Sequence, residues 1–578
     1  MELDLRFNKN IHSNFVELFD QISFSNRESF NDFIDSLSRS IIKDIDWWAQ
    51  NPASRNTYTS PLFHNFCSIK FFIDLINKQE NEIDAVLVDS QELKKIFEEI
   101  LKRNNLVKIK IIYRPGKLLI RKRLAKKLFY FQYFICKRYI QNILIRVNDK
   151  FNKDTIRSNS ITIIDTFLSP DFIHEDRWYG NFWDNIQEHL KRDIFFVPTV
   201  IDTPLSKIVK LCKNSRFNGR NIIFKDHFLR LDDFIFAYKH KHRVKRIDLE
   251  QILINDLDLS GLVWEDIDNN RDIQTLFESL LTYRFISKLK KHGVQLRLAI
   301  DWFEGHSIDK LWNLSIKNNF PNVKRIGYET YRSFPYYLST FPIQIERDAQ
   351  TIPDVFAVQG RNCVECVREF LPNQEVIVIP AFKYNHVLNQ NFDSKKRKKI
   401  VLVAFPISID STVRILKILI EAYNKDSRLN NSNVEFILKR HPKNSSDQIL
   451  SEIDIDLPRQ FSFTEEKSFP KLLGDSTVLV TEASSTCLEA IAYGISVIVI
   501  ENPSGLTYDP IPKGTDEKLY RKVRTRESLS NSLFDFLNFN KKSEHEQREL
   551  GLEFKSNFFE PLTKEGIYRF LDIGENEQ

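Results

Sequence analysis

The chain has 578 residues and a mass of 68.4 kDa, with 42% hydrophobic and 28% charged residues. That is more than one hydrophobic core organises, so two or more domains are expected. The net charge of +6 is small beside 84 Lys and Arg and 78 Asp and Glu, which excludes general nucleic-acid binding as a function. Of the six cysteines only Cys363 and Cys366 form a CxxC, and a single pair reads as reduced thiols rather than a zinc or redox centre. The start, Met1-Glu2-Leu3-Asp4, carries acids and no apolar segment, so no secretory signal is expected. No apolar run reaches the roughly 20 residues that span a bilayer. The expected location is cytoplasmic, at most peripheral to the inner face of the cytoplasmic membrane.

In chain order, the first eighty residues read as helices, with Phe30, Phe33, Ile34, Leu37, Ile41 and Ile42 at three- and four-residue spacing. Strand–helix alternation follows. Residues 85–88 form an apolar run closed by Asp89-Ser90, an N-cap for a helix over 92–101. Further strands are predicted at 107–112, 161–164, 194–197, 222–224, 296–300 and 323–326. A second series covers 355–358, 376–379, 400–403, 434–438, 477–480 and 497–500. Such alternation predicts parallel sheets covered by helices on both faces. The polar run 347–353, closed by Pro353, is read as the crossing between two domains, 1–346 and 347–560, with a tail at 561–578.

The segment 121–146 stands apart. Phe129, Tyr130, Phe131, Tyr133, Phe134 and Ile135 lie between Arg121, Lys122, Arg123, Lys126 and Lys127 on one side and Lys137 and Arg138 on the other. Basic flanks around aromatic rings suit an anionic membrane surface. Gln132, Cys136 and Gln141 blur the polar face and favour an ordinary helix packed on the sheet.

The chemistry concentrates where predicted strands end, which is where open parallel sheets bind ligands. After 434–438 comes Lys439-Arg440-His441-Pro442. An imidazole and a guanidinium there can neutralise a phosphate leaving group as its glycosidic bond breaks, and Pro442 ends the strand. After 477–480, Ser484-Ser485-Thr486 opens a helix that closes at Gly494. Amides and hydroxyls at such an N-terminus bind phosphate, although Ser484 as a simple N-cap explains one of the three. Glu489 can accept from a ribose hydroxyl or sit as a solvated helix residue. Ser408, Gly360 and the 379–381 loop are further donor-site candidates, and 327–331 is a candidate acceptor contact. In the first series, 296–300 ends in Asp301-Trp302-Phe303-Glu304-Gly305-His306. An inverting transfer needs a carboxylate or imidazole to take the acceptor hydroxyl proton; Glu304 is favoured, then Asp301, with His306 as the third candidate. Glu304 as a cap of the helix beginning at Ser307 is the bland alternative. No DxD ends a strand to hold Mg²⁺; the spacing at Asp454 and Asp456 falls in a polar loop, so no metal and no cofactor are expected.

Arg440-His441-Pro442 followed by Ser484-Ser485 and Glu489-Ala490 resembles the C-terminal half of GT-B glycosyltransferases. The pairing is similar to that of bacterial sialyltransferases, polysialyltransferases and Kdo transferases, and the whole chain resembles bacterial surface-carbohydrate biosynthesis proteins. The resemblance implies an α/β GT-B fold, two Rossmann-like domains with a cleft between them. It also implies a CMP-activated ulosonic acid donor held by His441 and the hydroxyl motif, a glycan or glycolipid acceptor, and an acid before a glycine as base. In Phe303-Glu304-Gly305 only the second acid of that family's pair remains. The family's Gly-x-Pro-Val-Ile is here Gly494-Ile495-Ser496-Val497-Ile498, without the proline. Three other readings fit the same residues: a CDP-polyol phosphotransferase of teichoic-acid type, a UDP- or GDP-sugar transferase, and a non-catalytic scaffold.

Overall fold

A computed structural model of the chain describes residues 1–574 except 79–82, 106–107, 116–119, 158, 171–175, 217–218, 255, 331–333, 390–398, 454, 467 and 483, and across 120–130 it describes the backbone only. The chain divides into two compact units. The first comprises Met1–Ser333, Tyr337–Lys383 and Leu562–Gln578, and the second Phe334–Tyr336 and Tyr384–Pro561.

The first unit carries a small parallel sheet of β1 (Glu2–Asp4), β2 (Ala85–Val88) and β3 (Lys110–Tyr113). Its main sheet contains β4 (Ser160–Leu168), β5 (Ile194–Val200), β6 (Gln295–Trp302), β7 (Lys324–Glu329), β8 (Val355–Val358) and β9 (Glu375–Val378). All are parallel, in the order β9-β8-β7-β6-β4-β5. Numbered along the chain, that is 2-1-3-4-5-6, and the direction of winding reverses between β4 and β6. Such a reversal parts the connecting loops and opens a crevice at the strand C-termini. The central strands read as nearly unbroken apolar runs because helices bury both faces. Ile164, Leu298, Ile300, Ile326 and Ala357 are buried on the sheet against Tyr179, Phe182, Trp302, Tyr328 and Phe382.

The second unit holds β10 (Ile400–Ala404), β11 (Glu435–Lys439), β12 (Phe461–Phe463), β13 (Val478–Thr481), β14 (Ser496–Ile500) and β15 (Tyr520–Val523). They too are all parallel, in the order β12-β11-β10-β13-β14-β15. This is 3-2-1-4-5-6, the order of dinucleotide-binding sheets, with its switch between β10 and β13. Both units are therefore α/β with parallel sheets, as expected.

Three expectations are corrected. The division does not fall at 347–353: Val355 pairs with Ile326 on one side and Glu375 on the other, so β8 and β9 complete the first sheet. Residues in and beside that run are tied into the first unit: Arg347 donates to Gln374 at 3.0 Å and Thr351 to Glu346 O at 3.1 Å. Glu346 accepts from Arg55 at 2.8 Å and Lys310 at 2.5 Å, and Arg325 holds Asp354 and Gln350. Nor does 561–578 form a separate tail. The helix Lys564–Phe570 belongs to the first unit, and Phe570 packs 5.2 Å from the ring of Phe182 and 5.3 Å from that of Tyr328. Residues 222–224 contribute a single bridge, Ile222 to Phe196, and no strand.

The helix Ile120–Asn148 packs on its neighbours, in line with the favoured reading of that segment, although Arg138, read as a basic flank, does not face solvent. Arg138 is buried, bonded to Asp226 at 2.6 Å and Glu278 at 2.5 Å, and Phe131 and Phe134 pack on Tyr238 and Phe277. The side chains of Arg121, Lys122, Arg123, Lys126, Lys127, Phe129 and Tyr130 lie outside the described residues, as do Tyr331 and Asp454. Among the described residues no helix is long and apolar enough to cross a membrane.

Asp266 gives a test of the first unit's core. It is buried and accepts from Ser60 Oγ at 2.6 Å; burial raises its pKa to about 7, against the opposing pull of Ser60 and Arg271. A carboxyl raised in the folded state is protonated there while the unfolded chain has already ionised. Its contribution therefore falls as pH rises from about 4 to about 7 and is flat above. Asp266→Asn is expected to raise the thermal midpoint relative to wild type at pH 8 and to leave it close to wild type at pH 4. Equal differences at both pH values would refute the assignment.

Candidate active site

The loop after β6 lies at the first unit's switch point. Its conformation comes from Asp309, the third residue of the helix Ser307–Asn319, whose Oδ2 accepts from the backbone N–H of His306 at 2.9 Å and of Glu304 at 3.0 Å. That satisfies two donors at the helix start. Glu304 is thus not the cap, and its carboxylate is left for other work. Gly305 between them has φ +71, and a Cβ there would lie 1.7 Å from the carbonyl oxygen of Ser339. Only glycine fits this turn.

Glu304 Oε1 accepts from Trp302 Nε1 at 2.7 Å, and Oε2 lies 3.0 Å from His306 Nε2. Tyr337 Oη is 2.8 Å from the same nitrogen, and Asn56 Nδ2 is 2.8 Å from Nδ1. The Asn56 amide is oriented by Tyr58, whose backbone N–H donates to Oδ1 at 3.1 Å. Nδ1 therefore accepts, and the neutral ring carries its proton on Nε2, donating to Glu304. Both side chains are about a quarter exposed, at 26% for Glu304 and 24% for His306. Burial alone would raise the Glu304 carboxyl, but the bond and charge of His306, with Trp302, hold it below the usual carboxylate range. Burial pulls His306 down, while Glu304 and the charge of Asp309 lift it above its ordinary value. Each carboxylate oxygen accepts about two bonds, so Glu304 retains acceptor capacity after Trp302 and His306 are satisfied. Both imidazole nitrogens are engaged.

Asp301 is corrected as a base candidate. It is 1% exposed and accepts from Asn313 Nδ2 at 2.9 Å; burial and the charge of Asp309 push its pKa well above the usual range. A carboxyl buried in this way and bonded to Asn313 supports the loop and is closed to an acceptor.

In the second unit, three adjacent strand ends carry the expected donor residues. β10 lies between β11 and β13, so the loops that follow those outer strands start roughly 10 Å apart, two strand spacings. They are tied together: Phe405 N–H donates to Lys439 O at 3.0 Å, Asn444 Nδ2 to Ile407 O at 3.1 Å, and Thr481 Oγ1 to Ala404 O at 2.8 Å. After β11, Arg440 bonds Asn444 O at 3.1 Å and Glu465 at 3.3 Å. His441 Nδ1 accepts from Lys443 N–H at 3.2 Å, which places the neutral ring's proton on Nε2, and Pro442 follows in the turn. After β10, Ser408 caps the helix Ile409–Lys425, accepting from Ser411 N–H at 3.4 Å. After β13, Ser485 is the N-cap residue of the helix Thr486–Ala492, and Ser484 Oγ lies 2.8 Å from Thr486 Oγ1. Gly494, at φ +60, ends that helix, its N–H donating to Ile491 O at 2.8 Å.

Glu489 Oε2 lies 2.9 Å from His386 Nε2, so it is not a solvated helix residue. Gly360 follows β8 in the first unit, with extended backbone that any residue adopts. The 379–381 loop is likewise in the first unit, where Pro380 packs against Gly566. Asn56, Trp302, Asp309, Tyr337 and His386 were not singled out from the sequence. Asp309 alone carried a signal, an acid three residues after the cap position. Among the described residues no group of three or more His, Cys, Asp or Glu is placed to hold a metal ion.

No protein-family model matches the chain, and no curated protein matches it. Solved structures similar to it include UDP-GlcNAc 2-epimerase from Methanocaldococcus jannaschii, at TM-score 0.41 and 12% identity, over 72% of this chain and 100% of that one. The glycosyltransferase SnogD from Streptomyces nogalater is similar at TM-score 0.40 and 10% identity, over 72% and 100%. A UDP co-structure of S. aureus MnaA is similar at TM-score 0.41 and 12% identity, over 72% and 97%. At this level the likeness assigns neither substrate nor reaction.

Proposed function

We propose that the chain is a GT-B glycosyltransferase of bacterial surface polysaccharide biosynthesis, transferring a CMP-activated ulosonic acid such as Kdo or a sialic-acid-like sugar to a glycan or glycolipid acceptor. The observation that carries this reading is the second unit's sheet. His441, Ser408 and Ser484-Ser485-Thr486 follow three neighbouring strands around the switch of a 3-2-1-4-5-6 order, where a nucleotide phosphate sits in such folds. In this reading the acceptor hydroxyl attacks the anomeric carbon as the bond to the phosphate oxygen breaks, inverting the centre. CMP leaves with the bonding electron pair, and His441 with the hydroxyl motif receives the gathering charge. Arg440 adds a guanidinium and Glu489 a ribose contact. Glu304, a quarter-exposed carboxylate at the first unit's switch point with spare acceptor capacity, takes the hydroxyl proton. The step needs no metal, and its place is the cytoplasm at the inner membrane face.

The nucleotide released tests the donor class. A CMP-sugar is expected to yield CMP under turnover with acceptor, read by chromatography. Release of UDP or GDP from the corresponding sugars, with CMP-sugars untouched, would overturn it.

A further inference from the structure

The last turns of the helix Ile120–Asn148 carry two features that no catalytic role uses. The first is an apolar stripe left in solvent: Tyr133 is 57% exposed, Ile140 45%, Ile143 43% and Val147 70%. With exposed Cys136 they recur at three- and four-residue steps, so they share one helix face. An apolar row of this length left in water marks a contact surface.

The second is a shallow basic cavity, wide open to solvent and of about 450 Å³, where the helix ends, lined by Arg146, Lys150, Lys153 and Arg230 with Asp149 and His227. The one carboxylate is committed, held by Arg216 at 3.0 Å and His227 at 2.9 Å. Among the described residues Arg146, Lys150 and Lys153 form no ion pair. Burial and then Arg230, Arg146 and Arg157 lower Lys153; burial and then Arg146 lower Arg230, against the opposing pull of Asp233 and Asp232 on the adjoining helix. Like charges gathered around a concavity repel, and an anion relieves that repulsion. Arg146 and Val147 lie three and four residues after Ile143 on the helix, and Arg146 lines the cavity, so the stripe runs up to it.

We propose that this face, the stripe Tyr133 to Val147 with the Arg146–Lys150–Lys153–Arg230 cavity at its end, docks the protein on an anionic phospholipid surface, the phosphate headgroup entering the cavity. Charge decides among occupants. Residues 120–148 contain no Asp or Glu, so a second copy would set bases against bases, whereas an acidic leaflet complements them. A soluble anion would fill the cavity and leave the apolar row unused. The aromatic and aliphatic side chains at headgroup depth add the apolar term that a stable peripheral contact needs.

The test is sedimentation of the full chain with vesicles of phosphatidylcholine alone or mixed with phosphatidylglycerol. Binding is expected only to the mixed vesicles. Arg146→Gln with Lys150→Gln is expected to weaken it roughly thirty-fold, at the usual worth of two surface bases. Ile143→Ser with Val147→Ser is expected to weaken it roughly tenfold or more. All four side chains are solvent-exposed, so unchanged thermal midpoints confirm intact folding. Absence of binding to mixed vesicles, or loss in only one of the two double variants, overturns the proposal. Loss in the charge variant alone gives the cavity to a soluble anion. Self-association removed by the stripe variant, without vesicle binding, gives the face to a second copy.

Discussion

Glu304→Gln is expected to lower transfer by roughly 10²–10⁴-fold, the usual contribution of a general base, with nucleotide affinity and thermal midpoint near wild type. The amide keeps the size of the carboxylate and an acceptor for Trp302 Nε1; it gives up the bond from His306 Nε2, while the loop is held independently by Asp309 and Gly305 and stays in place. What is lost is the capacity to accept a proton. His306 tunes that capacity. Its bond and charge hold Glu304 below its ordinary value of 4.5, so the carboxylate is ionised at neutral pH. A base must be deprotonated, so the acidic limb of kcat/KM falls at low pH in wild type and moves to higher pH in His306→Gln. The same lowered pKa contributes stability above the unfolded value, lost as pH falls through the folded one. Matching loss of CMP binding in Glu304→Gln would make the residue structural. Near-normal transfer in that variant, with collapse in His306→Ala, would move the base to the imidazole.

His441→Ala is expected to slow transfer by about 2.7–4 kcal/mol in the barrier, the usual cost of removing one preorganised donor from a developing charge. The Lys443 N–H at 3.2 Å fixes Nδ1 as acceptor, so the neutral ring presents its donor on Nε2. The stiff turn at Pro442 and the Asn444 bond to Ile407 O hold that loop against its neighbour, and little reorganisation is needed when charge appears. Wild-type turnover with every nucleotide sugar accepted would remove His441 from the site.

The sequence carried the central strands, because their apolar runs are long and uninterrupted where both faces are buried; the short or polar edge strands β1, β12 and β15 were not predicted. Val-Phe-Ala-Val at β8 and Ile-Val-Leu-Val-Ala at β10 needed no tertiary information. Which sheet each strand joins was not legible. β8 and β10 look alike, and the polar stretch between β7 and β8 resembled a linker only because its charges serve buried partners such as Arg55 and Lys310. Asp309 capping the 303–306 loop was hidden for a related reason. Glu304 and Asp309 are both acids near a helix start, and only the backbone geometry tells which of them faces inward. Asp301 shows the converse: its place at a strand end suggested an accessible carboxylate, yet side chains alternate along a strand and this one turns into the core. Phe570 was unreadable, since short terminal helices carry no mark of where they dock.

Calorimetric titration of CMP against wild type, His441→Ala, Ser484→Ala and Glu304→Gln tests the central claim most directly. The predicted result is saturable binding to wild type, weakened by either second-unit substitution and unchanged by Glu304→Gln. Absence of CMP binding, or equal affinity in all four proteins, would contradict it.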